Sequence, residues 1–198
     1  MTESVFEGQT FTGLSFCGET ISSHRYLSCQ FRGCNFSECQ WMGVQFENCS
    51  FAFCQGNGTF WKNCQLCNCS FSGSSLFGAS FSECKCTGTD FSGADVSAVS
   101  FSQCRLDYVL LTGCDLRRMD LRGCDLSHAD LSSCNLQRAI LCDCRMHGAI
   151  LRECDLQGAD LRGADTSGCD LKSARLQETH IDIRQAAELA ALLGAIVE

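Results

Sequence analysis

Large apolar residues in this chain recur at every fifth position. That is neither the three-and-four spacing of a helix nor the alternation of a strand. The centres begin at Phe6, Phe11, Phe16, Ile21, Tyr26 and Phe31, and from Leu106 they run without a slip to Ile181. Two places before each centre stands a small residue, as at Cys134, Ala139, Cys144, Ala149 and Cys154. The other three residues of a unit are mostly Ser, Gly, Asp, Asn, Gln or Arg. Steps of five from Phe6 to Ile181 make thirty-six units, with nothing inserted or lost. Self-similarity at a fixed short period means an array.

The period follows from elementary geometry. Residues two apart on an extended chain point to the same side, so the small and large positions face inward together. The three polar residues between them suit a wet surface and a turn. A bend of constant hand at each unit closes a square after four units, so twenty residues make one coil. Coils stack at the strand spacing of about 4.8 Å, and nine coils give a rod of roughly 43 Å. The class is all-β. Proline is absent, as expected where nearly every backbone N–H has a partner in the next coil.

The centres divide into two halves. From Phe6 to Phe101 they are mostly aromatic, with eleven Phe, two Trp and Tyr26; from Leu106 to Leu176 thirteen of fifteen are Leu. Gly56 is the one centre without a side chain, within Gln55-Gly56-Asn57-Gly58, and a local kink or thin spot is expected there.

Helical signals appear only at the end. Asp182 can cap a helix with Gln185 as its return partner. Leu189, Leu192 and Leu193 make an apolar face with Ala186 and Ala190. Gly194 can end the helix, and Ala195-Ile196-Val197 can form a short strand. The chain thus divides into a solenoid over 1–183 and a capping tail over 184–198.

Nineteen cysteines suggest disulfides or metal, but fifteen occupy the small inward position, where a free thiol acts as a small hydrophobe. Cys64, Cys84, Cys104, Cys124 and Cys144 fall in one column at steps of twenty. Thiols in a line do not converge as a tetrahedral zinc site requires, and parallel side chains fit disulfide torsion poorly. Core packing is the expected role, and no cofactor or metal is expected. The four histidines lie beside no matching nucleophile, and Gly-Asn-Gly at 56–58 lacks the Lys and helix of a phosphate loop. An enzyme is not expected. No apolar run is long enough to span a membrane, and Met1 to Phe6 lacks the features of a signal peptide, so a cytoplasmic location is expected.

What remains is surface. The net charge is −8, and acids gather at the position before each centre. Asp95, Asp115 and Asp155 share one face, with Asn135 filling the gap, while Asp120, Asp125 and Asp130 follow round the adjoining coil. Aspartate suits such turns on its own account, but a rigid acidic rod also matches a protein groove built for duplex DNA.

Units such as Ala129-Asp130-Leu131, Ala159-Asp160-Leu161 and Cys154-Asp155-Leu156 resemble the A(D/N)LXX pattern of the pentapeptide repeat family. The resemblance covers about residues 4 to 183 and implies a right-handed quadrilateral β-helix. The Gly56 break and the tail, Gln-Ala-Ala…Leu…Leu-Gly-x-x-Val, resemble the quinolone-resistance (Qnr) group and its mycobacterial and self-resistance relatives. That implies a homodimer joined end to end through Leu189, Leu192, Leu193 and Ile196. It also implies a DNA mimic that binds DNA gyrase or topoisomerase IV and counters quinolones or other poisons. On that reading the partner-binding acids are Asp95, Asp115, Asp120, Asp125, Asp130 and Asp155. Many Qnr proteins carry projecting loops, and this chain has none. The alternative is a scaffolding repeat protein with no topoisomerase role.

Overall fold

A computed structural model describes residues 4–197; Met1 to Glu3, part of the segment read for a signal peptide, and Glu198 lie outside the described residues. The chain winds as a β-solenoid in which residue i pairs in parallel with residue i+20, from Ser4↔His24 to Asp160↔His180. Strands Ser4–Glu7, His24–Leu27, Gln45–Glu47 and Gln65–Cys67 form one parallel sheet. Thr20–Ser22, Gln40–Met42, Phe60–Lys62, Ser80–Ser82 and Ser100–Ser102 form a second, and Thr10–Thr12 pairs with Gln30–Arg32. We number the four faces by the centres they carry: the first from Phe6, the second from Phe11, the third from Phe16 and the fourth from Ile21.

The coils are not the uniform stack that the unbroken period suggests. Regular strands end at Ser102, five turns deep in the longest sheet; beyond it the coils are joined by single parallel bridges. The change coincides with the switch from aromatic to leucine centres. The aromatic rings stack from coil to coil on strands and single bridges alike: Phe31 on Phe51 at 5.0 Å, Phe51 on Phe71 at 4.7 Å, and Trp41 on Trp61 at 5.2 Å.

Leu171–Ser173 bend as a short 3-10 helix; every other bend of the solenoid is made by a residue two places after a centre, held in the left-handed region. There φ runs from 50° at Ser28 to 76° at Gly168. Sixteen of the eighteen glycines stand at this position, a signal present in the sequence. Non-glycine residues such as Phe53 and Arg118 adopt the same conformation, which costs an L-residue about 1–2 kcal/mol.

Gly56 makes no kink. Gln55 bridges both Asn35 and Ser75, and Gly56 N–H donates to Ser75 O at 2.7 Å. Leu76 leans into the space: a Cβ on Gly56 would lie 2.9 Å from its Cδ2. A neighbouring side chain fills the missing volume, so the backbone need not.

The real irregularity lies elsewhere. On the third face three backbone hydrogen bonds join the coil at Leu76 to the next, among them Leu76 N to Asp95 O at 2.8 Å. Three likewise join Leu116 to Leu136. Between Val96 and Leu116, and on the fourth face between Phe101 and Leu121, there are none among the described residues.

The tail follows the sequence in part. Helix α1 spans Ile183–Leu192, Asp182 and Gln185 form the capping box, and Gly194 follows the helix at φ 88°. Ala195 to Val197 form no strand. Among the described residues no helix is long and apolar enough to cross a membrane.

Candidate partner-binding surface

Except for Asp170, each aspartate before a centre first serves its own turn. Its Oδ1 accepts the backbone N–H two residues on: Ser97 to Asp95 at 3.0 Å, Ser127 to Asp125 at 3.1 Å, Ser132 to Asp130 at 2.9 Å. Asn135 does the same for Gln137 at 3.2 Å, so the contact needs the oxygen and not the charge.

Of the six acids expected to meet a partner, Asp95, Asp115 and Asp155 lie along the third face and Asp120, Asp125 and Asp130 on the fourth, first and second, and they differ in exposure and in partners. Asp115 and Asp120 are exposed, and each is clasped by the arginine two residues on, Arg117 and Arg122, at 2.6 Å. Asp125 and Asp155 reach the next coil, to Arg145 at 3.2 Å and Arg175 at 3.3 Å, with side chains only 13% and 16% exposed. Asp95 is exposed and Asp130 half-buried, and neither has an ion-pair partner among the described residues. The arginines, one turn or one coil away, therefore neutralise much of the column. The sequence places Arg117 and Arg122 two residues from an acid, so their side of the bend was foreseeable.

The charges register these contacts. The Arg117 guanidinium holds the Asp115 carboxyl below the usual carboxylate range, and Arg122 does the same for Asp120. At Asp155 the Gln137 amide leads and Arg175 adds to it. At Asp125 and Asp130 burial opposes ionisation, but hydrogen bonds from Ser127 and Ser132 outweigh it and pull the carboxyls down.

Inside, all fifteen cysteines at small positions are buried free thiols. Most donate to a carbonyl 23 residues back, as Cys49 does to Tyr26 O at 3.3 Å and Cys104 to Phe81 O at 3.4 Å. Burial pushes the Cys124 thiol up to about 11. Among the described residues no group of three or more His, Cys, Asp or Glu is placed to hold a metal ion.

At the C-terminal end Leu189 is half-buried against the core. Leu192, Leu193 and Ile196 are 40%, 70% and 90% exposed, and Ile183 is 90% exposed. Gln185, read in the sequence only as the capping-box partner of Asp182, is fully buried and also plugs the last coil.

Two models of one repeat family match the chain: the "Pentapeptide repeat region" over residues 58–131, and "Pentapeptide repeats (8 copies)" over 129–165 and 149–182. The chain belongs to the pentapeptide repeat family. No curated protein sequence matches this family member. Among solved structures it is similar to trypsin-treated QnrB1, a plasmid-mediated fluoroquinolone resistance protein. The TM-score is 0.69 and the identity 22%, over 100% of this chain and 99% of that one. Full-length QnrB1 gives a TM-score of 0.64 at 21% identity, over 97% of this chain and 100% of that one. At such identity the likeness is one of fold.

Proposed function

We propose that this pentapeptide repeat protein binds a type II topoisomerase, DNA gyrase or topoisomerase IV, and protects it from quinolones or other poisons by occupying its DNA-binding groove. The observation that carries the reading is the end-to-end correspondence with the fluoroquinolone resistance protein QnrB1, tail included. Two features of the chain support it. The rod carries a net charge of −8, with Asp95, Asp115 and Asp120 exposed on its outer surface. The exposed Ile183, Leu193 and Ile196 suit burial against a second copy, giving a homodimer twice as long. The reading assigns no catalytic step and no cofactor.

The arginine pairing of Asp115, Asp120, Asp125 and Asp155 favours the second reading, a scaffold whose aspartates serve only its own turns. Supercoiling assays with gyrase, with and without a quinolone, separate the two. The first reading expects inhibition or protection; the scaffold expects neither. No effect at tens of micromolar on gyrase or topoisomerase IV from several bacteria removes the topoisomerase reading.

A further inference from the structure

Two of the four faces come apart at a single step of the solenoid. On the third face the step above the break is closed by Leu76 N to Asp95 O at 2.8 Å, Gly78 N to Ser97 O at 3.0 Å and Asp95 N to Ser74 O at 2.9 Å. The step below is closed by Leu116 N to Asn135 O at 2.8 Å, Arg118 N to Gln137 O at 2.9 Å and Asn135 N to Cys114 O at 3.0 Å. At the step between them Asp95 does not pair with Asp115, nor Ser100 with Asp120, although both ladders continue on either side. The first and second faces stay joined at this level, through Leu106 N to Asp125 O at 2.8 Å and Phe91 N to Leu110 O at 2.8 Å.

The sequence supplies a cause. The column of small positions on this side reads Cys39, Thr59, Ala79, Val99, Met119, Ala139 and Ala159. Val99 and Met119 are its two largest members, and they are neighbours in it. A position sized for Ala or Cys, filled twice over in adjacent coils, is overpacked, and the strain is relieved by moving backbone. Both are slightly opened to solvent, at 5% and 8%, whereas Ala79 and Ala139 are at 1% and 0%. Outside, Asp95 stands one coil from Asp115, a like charge. A groove of about 670 Å³ lies over the mouth, lined by Ser97, Ala98, Asp115, Arg117, Arg118 and Arg138 among others.

We propose that the rod is jointed at this step. Two rigid segments, one ending with the coil of Val96 and Phe101 and one beginning with that of Leu116 and Leu121, hinge about the intact first and second faces. The N–H groups of Val96, Ala98, Phe101 and Asp120 face the seam with no backbone acceptor across it. Unpaired buried amides are costly, so an open seam is wetted and a closed one zipped. The joint converts a straight rod into one of adjustable bend. Resting on the topoisomerase reading, it puts Asp95 and Asp115 on opposite lips, so a partner gripping both sets the angle.

The test uses the intact protein alone and needs no topoisomerase. Hydrogen exchange should be at least about tenfold faster at the amides of Val96, Ala98, Phe101 and Asp120 than at Leu76, Gly78, Leu116 and Ile140, since local opening sets exchange. Non-cysteine distance labels at Phe77 and Gln157 should give a broader distribution than labels at Ser72 and Arg152 on the second face. The double variant Val99→Ala/Met119→Ala should slow seam exchange and narrow the Phe77–Gln157 distribution. Equal protection on both sides of the seam, or equal widths on the two faces, overturns the joint. Fast exchange and full width persisting in a folded double variant overturn it as a product of overpacking.

Discussion

Gln185 closes the last coil: its Nε2 donates to the Leu161 carbonyl at 2.6 Å and to the Ala164 carbonyl at 3.0 Å. Each has one other donor, Ala164 N–H at 2.9 Å for Leu161 and Arg184 Nη2 at 2.9 Å for Ala164, so losing Gln185 removes one bond from each carbonyl, worth about 0.5–1.5 kcal/mol apiece. The same residue completes the capping box, with Asp182 N–H donating to its Oε1 at 2.9 Å. Gln185→Ala should therefore lower the stability to urea by about 1–3 kcal/mol. Gln185→Glu should be worse, because a carboxylate facing carbonyls can only repel. Unchanged urea midpoints for both would remove the plug.

The buried thiols should be inert. Cys17 is exposed, and Cys67 and Cys142 are half-buried; the other sixteen are buried. Burial holds Cys39, Cys144 and Cys154 at about 12, where the reactive thiolate is scarce. A maleimide at neutral pH should modify at most Cys17, Cys67 and Cys142 in the native protein, and all nineteen once it is unfolded. Cys124→Ala should cost about 1 kcal/mol or somewhat more. Cys124→Asp should prevent folding by burying a charge. Stoichiometric zinc, or unfolding by reductant, contradicts this account.

Stability should fall in acid. The Arg162 guanidinium, with Nη2 at 2.6 Å, holds Asp160 far below the ordinary carboxylate range, and Asp165 is lowered by Ser167. A depressed folded-state value contributes stability above the unfolded value near pH 4 and loses it as pH falls through the folded one. Urea midpoints should be flat from about pH 6 to 8 and drop below about pH 4. Asp160→Asn keeps the turn contact and should flatten part of the drop. An unchanged acid limb in that variant would falsify the assignment.

How much of this was legible follows from the period. Five-residue spacing gives the inward pair, the twenty-residue coil and the burial of cysteines such as Cys124 and Cys144, because each follows from which residues are small, large or polar. The capping box was legible because Asp182 and Gln185 stand at the required spacing. Gly56 misled, since a missing side chain says nothing about whether Leu76 will lean in. The seam was written as Val99 above Met119, but it becomes visible only when every twentieth residue is compared for size. The neutralisation of Asp125 and Asp155 depends on arginines twenty residues away, and a one-unit reading does not connect them.

The tail should join two copies. Deleting residues 184–198 would also remove Gln185, so point changes are the cleaner probe. Leu193→Glu with Ile196→Glu places charge on side chains that are 70% and 90% exposed and leaves the plug intact. Size measurement at micromolar concentration should show a dimer for the wild type and a folded monomer for the variant. A monomeric wild type ends the idea.

The acidic surface is tested by charge without shape. Asp115→Asn, Asp120→Asn and Asp125→Asn together keep every turn contact, because Asn135 shows that an amide oxygen accepts the same bond. They also release Arg117, Arg122 and Arg145 from their partners, so the local charge rises by three. The β-sheet circular dichroism should not change. If the rod competes with DNA for a basic groove, the triple variant should lose most of its effect on gyrase supercoiling, and the wild-type effect should weaken with salt as exposed charges are screened. A neutral control, Ser82→Ala with Ser102→Ala, alters the same number of surface polar groups less one and should leave the effect intact. Full activity of the triple variant would mean that the partner reads something other than these acids.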